Sequence, residues 1–361
     1  MAMKRRAEAY WLEKTKRWQI NVQKQGERKT FNSSTPGKKG KHECEEKADK
    51  WLVRFESEQR FEDAFACFME DKRETTSETT YKQYESVARN YLFPAISAKK
   101  HLSDISPWHW QKILDSACAE GKSENTIKMI KGLIVDFVSF CLRRKYAINR
   151  LEAGELQIRN AKAAKEKSAY DADEIKRLLS PELDECWEIN AFRFMLFTGI
   201  RRGEALALRW SDIDAEKSVF RVNGSLSKYN QITCGKTSNA IRNNALNEKA
   251  KTILDTQQKK LADNNVISEF VFPDKNGKIM QYARLLAIWT VISKKHGFAH
   301  TIHELRHTYI SLADKELPLA LLKKSVGHSA SMSTQKTYSH TTQADIEAIK
   351  AGVEKAFSDI V

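Results

Sequence analysis

Apolar residues recur at helical spacing along most of this chain and switch to strict alternation in only a few places. The first is near the start, where Trp18, Ile20 and Val22 alternate with Arg17, Gln19 and Asn21, the period of a strand with one buried face. Gln25-Gly26 offers a turn into a second strand through Arg28-Lys29-Thr30-Phe31, and Tyr10 to Leu12 reads as a strand before both. After a loop from Ser33 to Gly40, the spacing of Ala48, Trp51, Leu52 and Phe55 predicts an amphipathic helix. Such a helix covers one face of the sheet and leaves the other to expose Arg and Lys.

From Phe61 onward the period is helical. Phe61, Phe65, Phe68 and Met69 mark one helix; Tyr81, Tyr84, Val87, Ala88, Tyr91 and Leu92 mark a second, ended by Pro94. A third starts at Pro107-Trp108, runs through Ile113, Leu114 and Ala117 and closes at Gly121; Ile127, Ile130, Ile134, Phe137, Val138 and Cys141 make the fourth. The stretch after Asn149 is polar and rich in Lys, Ala and Glu, and reads as a linker. Asp171 or Asp173 then caps a helix through Ile175, Leu178 and Leu179 that stops near Pro181. The remainder is mostly helical, with a short sheet around Val219 to Ile241, a Phe270-Val271-Phe272-Pro273 segment and a turn at Asp274 to Gly277.

The pattern therefore predicts a multidomain, mainly α protein. A small α+β module with a three-stranded sheet occupies 1–58, an all-α domain 59–150, a linker 151–168, and a mostly α domain with a small antiparallel sheet 169–361. A length of 361 residues is ample for each to bury a core.

Charge sharpens this picture. The chain carries a net +14, and its first 41 residues hold 12 Lys or Arg against three Glu. An excess of this kind draws polyanions through phosphate contacts and counterion release. Arg17, Arg28, Lys29, Lys38 and Lys39 in the first module are candidate DNA contacts, as are Lys128 and Lys131 in the second domain; a sheet can enter a major groove with such side chains. The six cysteines, at 44, 67, 118, 141, 186 and 234, show no C-x-x-C spacing, which argues against a zinc finger or a disulfide scaffold. The N-terminus lacks an apolar signal core and no apolar run approaches a bilayer's thickness, so a cytosolic, membrane-free protein is expected.

The densest chemistry lies between Thr301 and His340. With Thr301 as a helix N-cap, His303, Arg306 and His307 stand at i, i+3 and i+4 and share a face. Two chemistries fit that string. His303-Glu304-Leu305-Arg306-His307 matches the H-E-x-x-H pattern of zinc proteases. That site needs a third ligand, His328 and His340 do not stand at the short spacing of the extended motif, and Arg306 on the metal-facing surface would repel a dication. The same residues also suit an anion. Arg306 offers a fork of donors to phosphate, His303 and His328 can donate or exchange protons, and Tyr338 supplies an oxygen nucleophile. A second arginine and an acid appear upstream: Arg201, where an apolar helix breaks at Gly199, and Lys236, in the turn Thr233-Cys234-Gly235-Lys236-Thr237-Ser238.

The order Arg201, Lys236, His303-x-x-Arg306, His328, Tyr338, with its flanks TGIRRGEALALRWSDID, HELRHTYISLA and VGHSASMSTQKTYSH, resembles the tyrosine recombinases of phages and conjugative transposons. The resemblance implies an arm-type DNA-binding module at 1–58, a core-binding domain at 59–150 and a catalytic domain at 169–361. It implies attack by Tyr338 on a DNA phosphodiester, Arg201, Arg306 and His328 around the phosphate, Lys236 as acid to the leaving 5′ oxygen and His303 as proton acceptor or relay. Neither metal nor ATP is needed, since the guanidiniums and a lysine supply the positive charge. Implied partners are double-stranded DNA at core and arm att sites, three further protomers in a tetramer, and an excisionase or host DNA-bending protein. A DNA-binding regulator with an inactive recombinase-like domain is the alternative. Two further expectations concern support: His307 rests on Glu204 or backbone, and the tail residues Ile346, Ile349, Val353 and Phe357 dock on a neighbouring protomer.

Overall fold

In a computed structural model, which describes residues 8–24, 27–57, 59–159, 161–162, 168–234, 241–327 and 341–360, the chain divides into two compact units, Met1–Ala164 and Lys165–Val361.

The first unit begins with an antiparallel sheet of β1 (Tyr10–Leu12), β2 (Arg17–Lys24) and β3 (Glu27–Ser33), in that order, followed by α1 (Gly37–Ser57). Alternation sends Ile20 and Val22 into a small core with Cys44 and Ala48 of α1, edged by Trp18, Phe31, Trp51 and Leu52. The helix starts at Gly37, inside the expected loop, because Glu43 reaches back. Its Oε2 accepts from Ser33 Oγ and Thr35 Oγ1, both at 2.9 Å, and those two hydroxyls hold its carboxyl below the ordinary range. The uncovered face differs from the expected row of Arg and Lys. Register sets Asn21 opposite Thr30 and Gln19 opposite Tyr10 and Asn32. The Tyr10 hydroxyl accepts from Gln19 Nε2 (3.0 Å) and Asn21 Nδ2 (3.1 Å), and Thr30 Oγ1 donates to Asn21 Oδ1 (2.6 Å). Arg28 shares this face by parity. Lys29 shares the other with Phe31, its ammonium 5.7 Å above that ring.

The helical part of this unit comprises α2 (Phe61–Thr75), α3 (Glu78–Val87), α4 (Phe93–Ala95), α5 (Pro107–Ala119) and α6 (Glu124–Arg143). Phe137 of α6 is its hub, with ring centroids 5.7, 5.3 and 5.6 Å from Phe61, Phe65 and Phe68. Between α3 and α4 the backbone widens into a π-type turn over Ala88–Leu92 and stays helical through Pro94 to Ala95. Proline has no N–H for the i−4 carbonyl, and the wider turn leads the chain up to it. The polar stretch after Asn149 lies along this helical body. Leu156 is buried in its core, Asn149 Nδ2 donates to the carbonyls of Ser103 (3.0 Å) and Ile105 (2.9 Å), and Gln111 and Gln157 exchange two bonds of 2.9 Å. Lys131 donates to the Leu156 carbonyl at 2.6 Å.

In the second unit, Asp171 caps α7 (Ala172–Leu179), accepting from Glu174 N at 2.8 Å. The central helix α8 (Ile189–Thr198) is buried at every residue and is followed by α9 (Arg202–Ala207). Strands β4 (Ile213–Asp214), β5 (Val219–Val222) and β8 (Arg242–Ala245) form one antiparallel sheet; β6 (Gly224–Leu226) and β7 (Ile232–Cys234) form a hairpin. Among the described residues, the Phe270–Pro273 segment makes only isolated bridges, Arg209 with Phe270 and Pro273 with Ile279. Helices α10 (Glu248–Asp263), α11 (Tyr282–His296), α12 (Ile302–Ala313), α13 (Leu319–Val326) and α14 (Gln343–Phe357) complete the unit.

The last helix corrects one expectation. Ile346, Ile349, Val353 and Phe357 are all buried in the core of their own unit, with Phe357 4.8 Å from the Phe197 ring. Lys324 pairs with Asp345 at 2.8 Å and Lys355 with Glu316 at 2.7 Å. The apolar stripe thus has a partner surface within its own unit, where a neighbouring protomer was expected to supply one.

Candidate active site

Helix α8 ends at Gly199, which adopts the left-handed conformation (φ 64°). A Cβ there would stand 2.3 Å from the Tyr309 ring, so glycine is required twice over, by backbone and by space. The turn it makes delivers Arg201 to the N-terminus of α9. Arg201 N donates to Glu204 Oε2 and Arg201 Nη1 to Oε1, both at 2.8 Å, while Nη2 donates to the Gly327 carbonyl at 3.3 Å. The Arg201 side chain remains 41% exposed, whereas that of Glu204 is 6% exposed.

Arg306 reaches the same place from α12. It is buried, and it donates through Nη1 to the Gly199 carbonyl (2.7 Å) and through Nη2 to the Val326 carbonyl (2.6 Å). A third arginine, Arg242 at the start of β8, donates through Nε to the Ser325 carbonyl at 3.0 Å. The last carbonyls of α13 and its cap are therefore taken one by one: Ser325 by Arg242, Val326 by Arg306, Gly327 by Arg201. A helix C-terminus leaves such carbonyls unpaired and carries partial negative charge, so it attracts guanidinium groups.

Burial and the neighbouring Arg201 push Arg306 down to about 9. Burial raises the Glu204 carboxyl, but its bonds and charge contact with Arg242, then with Arg201, outweigh that and hold it below the ordinary range. Both effects describe a cluster with more positive charge than its one carboxylate balances. Such a cluster suits a phosphate.

His303 lies one turn before Arg306 and is exposed, its ring 5.0 Å from that of His307 and perpendicular to it. Glu304 turns elsewhere: it is buried, accepts from Thr301 N at 2.6 Å and faces His300. The glutamate that the zinc-protease pattern would use as general base is thus spent on capping α12. Glu204, suggested as a rest for His307, has both oxygens engaged by Arg201 and Arg242.

The structure thus brings Arg201 and Arg306 together, with His303 on the helix that carries Arg306. Lys236, His328 and Tyr338 lie outside the described residues. Of the DNA-contact candidates, Arg28, Lys29, Lys38, Lys39 and Lys128 are exposed, Arg17 is half-buried, and Lys131 is held by the Leu156 carbonyl. Sequence reasoning missed Arg242. Its signal was a charge at an inward strand position, two residues before Asn244 and within the run Ile241 to Leu246.

The chain is similar to known proteins in both sequence and fold. Residues 169–345 match the family model described as "Phage integrase family", and residues 60–117 match "Phage integrase, N-terminal SAM-like domain". A tyrosine recombinase XerC-like protein of Caldanaerobacter subterraneus subsp. tengcongensis is 26% identical over 290 residues, covering 72% of this chain and 74% of its own. The integrase of Staphylococcus phage L54a is 30% identical over 188 residues, 46% of this chain and 51% of its own. In fold, the chain resembles the Tn1549 transposon integrase solved in complex with transposon right end DNA (TM-score 0.64, 17% identity, 82% of this chain and 99% of that one). A lambda integrase tetramer bound to a Holliday junction gives a TM-score of 0.58 at 17% identity, over 91% of this chain and 98% of that one.

The chain belongs to the tyrosine recombinase family of phage integrases. Its activity is site-specific recombination, the cleavage and rejoining of DNA strands. No helix among the described residues is long and apolar enough to cross a membrane.

Proposed function

We propose that this chain is an integrase that inserts and excises a mobile element through a covalent 3′-phosphotyrosyl intermediate, with Tyr338 as nucleophile. One observation carries the reading: Arg201 and Arg306 converge on adjacent carbonyls, those of Gly327 and Val326, immediately before His328 in the chain. A guanidinium has five N–H donors, so these bonds leave capacity for the non-bridging oxygens of a phosphate. As the phosphorus becomes pentacoordinate its oxygens gain charge, and fixed cations bind that state more tightly than the starting diester.

A phenol ionises near pH 10 when unperturbed, so Tyr338 needs cationic neighbours or a base to take its proton. His303 serves as acceptor or relay, His328 as a further donor to the phosphate, and Lys236 as acid to the leaving 5′ oxygen. The phosphotyrosyl bond keeps the energy of the diester, so the 5′ hydroxyl of another strand reverses the step. No metal and no ATP take part.

The 1–58 module binds arm sites, the 59–150 domain core sites, and four protomers act together on two duplexes, in the bacterial cytoplasm and with an excisionase or DNA-bending protein setting direction. The assembly is supported by likeness to the lambda integrase tetramer on a Holliday junction. Incubation with nicked suicide duplexes bearing candidate att sites tests the chemistry. A covalent band, lost in Tyr338→Phe, supports the enzyme; tight binding with no adduct from the wild type supports the regulator reading.

A further inference from the structure

Among the described residues, Glu204 takes four hydrogen bonds. Arg201 gives two, from its backbone N to Oε2 (2.8 Å) and from Nη1 to Oε1 (2.8 Å); Arg242 gives the others, from Nη2 to Oε2 (2.9 Å) and from Nη1 to Oε1 (3.2 Å). The far edge of the Arg242 guanidinium donates through Nε to the Ser325 carbonyl at 3.0 Å. One buried side chain, 5% exposed, therefore ties the carboxylate under Arg201 to the end of the helix that leads into His328.

Its fit is close on every side. A Cβ added at Gly327 would come within 2.8 Å of Arg242 Nη1, so the backbone of the α13 cap rests against the guanidinium. Burying an ion pair costs several kcal/mol in desolvation, and apolar residues of the same volume often hold a core as well. An arginine kept at this point therefore calls for a role in geometry.

We propose that Arg242 is a positioning residue of strand cleavage, holding Glu204 and the C-terminus of α13 in fixed relation so that Arg201 and the segment entering His328 meet one phosphate. The role rests on the recombinase reading of the chain. Lysine cannot replace it, because a single ammonium cannot span both Glu204 oxygens and the Ser325 carbonyl. Without Arg242, Glu204 keeps its burial and, among the described residues, the partly exposed Arg201 as its one hydrogen-bonded cation, with buried Arg306 a further charge nearby and the Tyr309 hydroxyl neutral, its own ionisation pushed up to about 12 by burial. Its carboxyl then takes up a proton at higher pH and releases Arg201.

The test uses the full chain and the core-site suicide duplex, reading DNA affinity, thermal melting and the single-turnover rate of adduct formation from about pH 6 to about pH 9. In Arg242→Met, affinity is expected within about threefold of wild type while the adduct rate falls roughly 100-fold, the loss of one well-placed donor system. The fall should deepen toward acid pH, and Glu204→Gln combined with Arg242→Met should abolish that acid limb. A melting loss alone does not create a pH limb that a second substitution removes. Should Arg242→Met not melt cooperatively, Arg242→Lys carries the test, with about a tenfold slower adduct at unchanged affinity. An adduct rate within threefold of wild type in the folded variant, or a pH-independent fall, overturns the role. A wild-type chain that forms no adduct at all overturns the recombinase reading and this role with it.

Discussion

Arg306 donates to the carbonyl of Gly199 at 2.7 Å, joining two helices whose contact residues stand 107 positions apart. That bond makes Arg306 a structural member as well as a proposed phosphate ligand. Arg306→Ala should cut adduct formation by about 100- to 1000-fold. It should also lower the melting temperature measurably, since it leaves the Gly199 and Val326 carbonyls buried without their donor. An adduct rate equal to wild type would remove Arg306 from the reaction.

Gly199→Ala puts a methyl group into the Tyr309 ring and a non-glycine residue at positive φ. The expected cost is about 2–4 kcal/mol, from left-handed strain and overpacking together. Calorimetry or denaturant melting of the variant checks it, and a loss within experimental error would mean that α8 and α12 are not packed as described.

The tail gives a prediction opposite to that of a tail borrowed from a neighbour. Phe357→Ala should destabilise the isolated protomer by about 3–5 kcal/mol, because its ring fills a core position against Phe197. Truncation after Gly352 removes Val353 as well and should lower melting in the absence of DNA. Unchanged melting, with lost cooperativity on DNA, would place the tail on another protomer.

Glu204 also predicts a pH dependence of stability. Its folded carboxyl lies below the ordinary value, so the stability it contributes is complete above the unfolded carboxylate range and drains away as pH falls through its folded pKa. Glu248 and Asp345, lowered by Lys350 and Lys324, contribute in the same direction and remain in a variant at 204. Glu204→Gln, less stable by about 3 kcal/mol at neutral pH, should therefore lose less of what is left on acidification. Parallel acid melts of the two proteins would refute this if their slopes coincide.

The N-terminal module predicts two kinds of DNA mutant, one on the open face of its sheet and one in the first turn of α1. Asn21→Ala removes an amide held by Tyr10 and Thr30 and should lose about 1–3 kcal/mol of discrimination between arm sequences. Lys38→Ala and Lys39→Ala should weaken all sequences alike and reduce the salt slope by about one each. Equal loss on every sequence in all three variants would mean that this module contacts only backbone.

Much of the architecture was legible from spacing. Asp171 and Thr301 cap the helices their positions suggest, Gly199 breaks α8 where its apolar run ends, and the clustered phenylalanines of α2 meet Phe137 as one core. Each is a local signal. Contacts between distant segments were not legible: Arg242 finds Glu204 38 positions earlier and Ser325 83 positions later. Lys131 reads as a surface cation until the Leu156 carbonyl is laid beside it. The amphipathic tail declares an apolar stripe without saying which surface receives it. The side of Lys29 was there to be read, two residues from Phe31 on the same strand, but its charge drew attention outward.

Helix α8 carries Phe197 beneath the last aromatic of the chain, and the turn at Gly199 that ends it delivers Arg201, four residues on, to the start of α9. A substitution that lifts Phe357 from its seat is therefore expected to disturb the mount of that guanidinium as well as the core.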